Sequence, residues 1–172
     1  MTPIDCGLCC LRPWRAGDLD SLVRHASSRN VWLGLRDRFP HPYTRDAGRA
    51  WLEATVAERP PTTLAIEIAG EAAGGIGVVP GGDVNSHTGE IGYWLGEGHW
   101  GRGVMTEAVR GFVPWAASTF GLRRFYAEIF ATNPASMRVL EKCGFRREGV
   151  LRRHAFKDGQ YLDEIVYGLV LL

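Results

Sequence analysis

A glycine turn set between a strand and a helix constrains this chain more than any other feature. Glu90-Ile91-Gly92-Tyr93-Trp94-Leu95 reads as a strand, and a segment from about Gly103 to Phe120 carries Val104, Ala108, Phe112, Trp115, Ala116 and Phe120 at helical spacing. Between them runs His99-Trp100-Gly101-Arg102-Gly103-Val104-Met105-Thr106-Glu107-Ala108. The first turn of a helix leaves backbone N–H groups without partners, and the peptide dipoles add to a positive end there. A strand, a glycine turn and a helix start therefore make a seat for an anion such as pyrophosphate.

The turn contains a literal GxGxxG, Gly96-Glu97-Gly98-His99-Trp100-Gly101, which suggests a dinucleotide site. Its position in mid-chain and the bulk of Trp100 count against that reading. The one acid available for a ribose, Glu128, lies 27 residues past Gly101, beyond the usual spacing of about 20.

Taken in order, Leu8 to Pro13 is an apolar strand, and Asp18 caps a helix carrying Leu19, Leu22, Val23 and Ala26. Periodicity fades from Ser27 to Tyr43, and Thr44 caps a second helix, Arg45 to Glu58. Thr62 to Ala69 and Ala72 to Val79 form a hairpin around Gly70-Glu71. Pro114 predicts a kink or break in the helix after the glycine turn, and Gly121 suits its end. Arg123 to Phe130 is a strand, Asn133 and Pro134 open a last helix that Gly144 ends, and Phe145 to Phe156 pairs with Tyr161 to Leu171 through Asp158-Gly159. The order β-α-α-β-β-β-α-β-α-β-β implies an α+β, or mixed α/β, fold. Helices cannot connect all of its strands as parallel pairs.

At 172 residues, with no linker or repeat, the chain reads as a single domain spanning 1–172. A net charge of +1 argues against nucleic acid or anionic membrane as a partner. The sequence has no signal-like start and no apolar run near the ~20 residues of a membrane span, which makes the cytoplasm the expected location. Cys6, Cys9 and Cys10 cluster, but Cys143 is distant and no second CxxC or HxxxH pair exists. The expectation is reduced thiols and no metal.

Three motifs at matching spacing resemble the GNAT superfamily of N-acetyltransferases, in its RimJ/RimL-type branch. They are Gly92-Tyr93-Trp94-Leu95, the turn with Gly103 followed by Thr106-Glu107-Ala108, and Asn133-x-x-Ser136-x-x-x-x-Glu141-Lys142-x-Gly144-Phe145. The likeness runs from Leu11-Arg12-Pro13 to the final hairpin. Trp100 and Met105 depart from the Gln/Arg and Gly/Ala of the family's coenzyme A signature.

The resemblance implies a mostly antiparallel, splayed mixed sheet flanked by helices. Its co-substrate would be acetyl-CoA (coenzyme A), held by the backbone of Trp100, Gly101, Arg102, Gly103, Val104 and Met105, with Trp94 and Leu95 pairing with pantetheine amides and Asn133 as a further contact. The acceptor would be an amine on a peptide or small molecule, acetylated directly in a ternary complex. Homodimers are common in the branch.

Many members use a tyrosine in the last helix to protonate the leaving thiolate; Leu140 stands there instead, and Ser136 takes the role by resemblance. The base is open between Glu90, His154 and water, since Ala155 occupies the position of a family glutamate. By the same analogy Asp163 holds the acceptor amine, and His41 and Tyr43 line its channel. Leu140, Ala155 and Trp100 also admit a second class, an acyl-CoA-binding regulatory module with little or no turnover.

Overall fold

In the computed structural model, which describes residues 1–171, the hydrophobic runs pair into one eight-stranded sheet. In chain order the strands are β1 (Ile4–Asp5), β2 (Cys10–Pro13), β3 (Thr63–Ile68), β4 (Glu71–Pro80), β5 (Thr88–Leu95), β6 (Arg124–Phe130), β7 (Arg146–Lys157) and β8 (Gln160–Val170). The helices are α1 (Leu19–Ala26), α2 (Arg29–Leu33), α3 (Arg45–Ala57), α4 (Val104–Phe120) and α5 (Pro134–Lys142). Across the sheet the order is β1-β2-β3-β4-β5-β6-β8-β7, and every neighbouring pair is antiparallel except β5 with β6. The α+β class is the one the element order implies, and the splayed, mostly antiparallel sheet is the one the resemblance implies.

Each face of the sheet carries its own apolar layer. On the back, Val104, Ala108, Phe112 and Ala116 of α4 recur every fourth residue and bury against Leu11, Ile66, Ile76, Val78, Ile91 and Phe125. On the front, Leu22 and Ala26 of α1 and Leu52 of α3 close over Trp14, Tyr43, Ala65 and Ala72. Arg12, buried on β2, donates to both carboxylate oxygens of Asp18 at 2.7 and 2.8 Å and to Glu67. Asp18 therefore does not cap α1: its carboxylate accepts from Arg12 and from the Arg15 N–H at 2.8 Å. Pro114 neither ends nor interrupts α4. It lies on the exposed side of the helix, where water can satisfy the carbonyl its ring leaves free.

Thr44 caps α3 through Ala47 N–H at 3.2 Å, and Asn133 caps α5 through Ser136 N–H at 3.1 Å. Gly121 takes a left-handed φ of 67° and lets Leu122 N–H reach Ala117 O at 3.1 Å, closing α4. The β7–β8 turn puts Asp158 and Gly159 at φ 50° and 78°, the signs that a tight hairpin turn requires. Two elements were not legible in the sequence, the two-residue β1 and the five-residue α2 inside the Ser27–Tyr43 stretch.

Candidate functional site

β5 and β6 pair only from Thr88↔Arg124 to Glu90↔Tyr126. Beyond that point β5 stays on β4 and β6 stays on β8, so the two strands part and the sheet opens. A cleft of about 1330 Å³ runs through the opening, lined by the glycine turn, the start of α5, the end of β5 and the segment after α2. Gly96 N–H bonds Ala73 O at 2.8 Å and Gly81 N–H bonds Thr88 O at 2.8 Å. Antiparallel alternation then commits the backbone of Glu90, Gly92 and Trp94 to β4 and turns that of Ile91, Tyr93 and Leu95 toward the gap. Trp94 thus lines the site with its side chain, and Tyr93 with Leu95 supplies the gap-facing backbone.

At the turn, Gly101 and Gly103 hold φ of 72° and 82°, and Gly103 is the N-cap residue of α4. This left-handed pair strings the amides of residues 101–106 without a protein acceptor among the described residues; the first return bond is Glu107 N–H to Gly103 O at 3.2 Å. The Trp100 amide is already engaged, donating to Glu97 O at 3.1 Å, so the row of open donors begins at Gly101. The Trp100 indole N–H donates to Leu95 O at 2.7 Å, tying the end of β5 to the turn. Arg102 projects into solvent, while Arg138 lines the cleft.

On the back side of β5, the Tyr93 hydroxyl sits 2.9 Å from Ser136 Oγ and 3.3 Å from Ser136 O. Burial pushes the Tyr93 phenol well above its ordinary value and keeps it protonated, with the Ser136 bond opposing. Ser136 is thereby held at the gap by a half-buried hydroxyl 43 residues earlier in the chain. Tyr93 was missed as a functional residue because its partner is remote in sequence; the alternation of β5, which puts it on the helix side with Ile91 and Leu95, was the available signal.

On the front side stand Glu90, Gly92 and Trp94. Arg36, from the segment after α2, bonds Glu90 Oε1 at 2.5 Å and Glu128 Oε2 at 2.9 Å, bridging the two parted strands. Glu90 Oε2 has no partner among the described residues. α2 and the segment after it are pinned to the far hairpin: buried Lys157 lies 3.5 Å from the Trp32 ring centre and donates to Asp37 at 2.6 Å, while Arg29 meets Asp158 at 2.5 Å.

His154 lies in an adjoining cavity of about 270 Å³ with its Nδ1 2.5 Å from Glu164 Oε2. Glu128, His154 and Glu164 bring ligand-type atoms within 4.8 Å of one another. All three are engaged within the protein: His154 Nδ1 with Glu164 Oε2, and Glu128 Oε2 with Arg36. Asp163 is turned away by strand alternation and accepts Arg153 N–H at 2.7 Å, so Glu164 is the acid that faces the site. Tyr43 lines the cleft, whereas His41 stacks on Trp32 at 5.3 Å on the surface. The four cysteines are free, and burial pushes the Cys9 thiol up to about 12.

Residues 9–146 match the family model described as acetyltransferase (GNAT) domain. The chain is 41% identical over 81 residues to an uncharacterized N-acetyltransferase, YoaA, of Bacillus subtilis, covering 47% of this chain and 46% of that protein. It is 36% identical over 84 residues to the ribosomal-protein-serine acetyltransferase of Escherichia coli, covering 49% and 47%. These matches span about half the length of the curated relatives. Among solved structures, Mycobacterium smegmatis RimJ in complex with CoA-disulfide superposes with a TM-score of 0.80 at 26% identity, covering 98% of this chain and 86% of that one.

Proposed function

The chain belongs to the GNAT acetyltransferase family, and from that premise we propose that its 172 residues act as one cytoplasmic N-acetyltransferase domain moving an acetyl group from acetyl-CoA to a primary amine, directly, in a ternary complex. The observation that carries the reading is the parted β5–β6 pair opening onto the unpartnered amides of residues 101–106. Those amides fit a pyrophosphate, and the gap-facing backbone of Tyr93 with the N–H of Leu95, whose carbonyl accepts from the Trp100 indole, fits an extended amide chain lying as a further strand would. No helix among the described residues is long and apolar enough to cross a membrane. The E. coli ribosomal-protein relative supports a protein or peptide amine as acceptor.

In the reaction the amine lone pair attacks the thioester carbonyl carbon, the C–S bond breaks, and the sulfur leaves as a thiolate. Ser136 Oγ–H, oriented by the Tyr93 hydroxyl, donates to that thiolate. The free Oε2 of Glu90 takes one proton from the entering ammonium, which frees the lone pair for attack, while Arg36 holds the other oxygen. The second proton, shed from nitrogen as the amide forms, goes to the thiolate, which leaves as the thiol. Asn133 acts chiefly by fixing the first turn of α5, and so the place of Ser136.

The test mixes the protein and acetyl-CoA with a broad panel of amines and peptides and follows free thiol. Release that depends on an amine, with the acetylated amine identified by mass, supports the proposal. Calorimetric binding of acetyl-CoA with no release for any amine sinks it.

A further inference from the structure

The front of the sheet has one bare tile. Along β4 and β5 the front-facing pairs are Gly75↔Trp94, Gly77↔Gly92 and Val79↔Glu90. Gly75 is covered: a Cβ there would lie 2.9 Å from Trp94 Nε1 and 3.2 Å from Trp14 Cζ2. Gly77 is covered by Thr63, whose Cγ2 would lie 2.6 Å from such a Cβ. Gly92 is exposed, and a Cβ there would meet nothing within 4 Å. Its φ is not left-handed, so no backbone demand accounts for glycine at this position.

Gly92 is therefore the floor of a notch. Glu90 and Trp94 stand two residues to either side on the same face, and their Cα atoms span about 13 Å at the usual strand rise. Phe39 packs against Trp94 at 5.4 Å and forms the upper wall. At the Glu90 end, Glu90 and Glu128 share the single guanidinium of Arg36, which leaves one negative charge over. The notch is thus flat-floored, aromatic at one end and anionic at the other. Glycines in sheets are commonly covered by an aromatic ring from a neighbouring strand, as Trp94 covers Gly75. Among the described residues no ring covers Gly92.

We propose that Gly92 floors a subsite for an aromatic ring carried close to the acceptor amine, the ring lying on Gly92 against Trp94 and Phe39 and the ammonium entering at Glu90. The acceptor is then an arylalkyl primary amine or a chain end whose first residue is aromatic. This rests on the amine-acceptor reading above and adds the chemical class of the amine.

The test compares 2-phenylethylamine with n-hexylamine, and a Phe-first peptide with its Leu-first counterpart, on wild type and Gly92→Val. Binding to the coenzyme A-loaded protein is read by calorimetry, and turnover by thiol release. Aromatic contacts predict a preference of roughly threefold to tenfold for the ring. Gly92→Val, whose side chain enters open space, should abolish that preference with acetyl-CoA affinity unchanged. Gly92→Ala should lower it part of the way. Whichever aromatic arm shows the larger effect identifies the source, small amine or peptide. Equal affinity for ring and chain in both arms overturns the inference, as does a preference that survives Gly92→Val. Binding is read separately from turnover, so a ring preference without thiol release would sink the acetyl-transfer reading and leave the subsite standing.

Discussion

Replacing Ser136 by alanine tests its proposed role as donor to the departing thiolate. The perturbation is local: Ser136 N–H keeps its bond to Asn133 Oδ1 at 3.1 Å, and the Tyr93 hydroxyl keeps Ser136 O at 3.3 Å. The stability cost is then about 1 kcal/mol, a melting shift of about 2–4 °C for a chain of this size. The kinetic cost is larger, because a hydrogen bond to an ionised group is worth about 1.5–3 kcal/mol. If that bond forms as the C–S bond breaks, kcat falls by about 10- to 150-fold, while acetyl-CoA affinity, which the proposal assigns to the open amides of residues 101–106, stays unchanged. Thiol release gives kcat and KM, and calorimetry gives the affinity. Tyr93→Phe should lower kcat less, by about threefold to tenfold, since Ser136 Oγ loses an orienting partner at 2.9 Å and keeps its own proton. The double variant should be no slower than Ser136→Ala alone, because Tyr93 acts only through Ser136. An unchanged kcat in Ser136→Ala, or losses that multiply in the double variant, would refute the assignment.

Three further outcomes follow from other parts of the structure. Gly103 sits at φ 82°, so Gly103→Ala should destabilise by about 1–2 kcal/mol; Gly103→Glu should also weaken acetyl-CoA binding by tenfold or more in calorimetry, by placing a negative charge at the anion seat. Arg12 is buried between Asp18 and Glu67, and Arg12→Met would strand two carboxylates, costing about 3–5 kcal/mol and about 6–20 °C in a thermal melt. Burial first, and then the nearby charge of His99 and Arg24, hold His25 below its ordinary value. A folded-state value below the unfolded one means that the unfolded chain binds more protons between the two. The stabilising contribution of neutral His25 is therefore full above about pH 6.5 and lost as pH falls through the folded-state value. Melting temperature should decline on that side in wild type and flatten in His25→Asn; equal slopes would exclude His25 as the cause.

The fold was legible wherever the physics is local. Thr44, Asn133 with Pro134, Gly121 and Asp158-Gly159 each mark a boundary by their own chemistry, and the structure uses each as marked. Asp18 misled because its strongest partner, Arg12, lies on another element and outcompetes the local cap. Pro114 misled because its cost depends on which side of the helix faces water. The site divides the same way. The glycine turn could be read from its spacing, but the Tyr93–Ser136 contact joins residues 43 apart and Arg36–Glu128 joins residues 92 apart. No periodicity announces contacts made only by sheet topology. Ser136 entered as the proposed donor through the resemblance to a family; the structure adds the Tyr93 hydroxyl beside it.

The proton chemistry proposed for this site is ordered by the alternation of one strand. Successive side chains of β5 point to opposite faces, so Tyr93 reaches α5 and Ser136 behind the sheet while Glu90, Gly92 and Trp94 face the segment carrying Arg36 and Phe39. Donation to the departing sulfur and acceptance from the incoming amine then occur on opposite faces of a sheet. They cannot short-circuit through one hydrogen bond. This arrangement needs the β5–β6 pairing to stop at Glu90↔Tyr126. Were it to continue, the backbone of Tyr93 and Leu95 would be spent on β6, and the thioester would have no place between the two faces. The parting of the strands is therefore the structural condition for both halves of the proposed reaction, and Glu90, the last residue of β5 paired with β6, stands where the closed sheet becomes the open site.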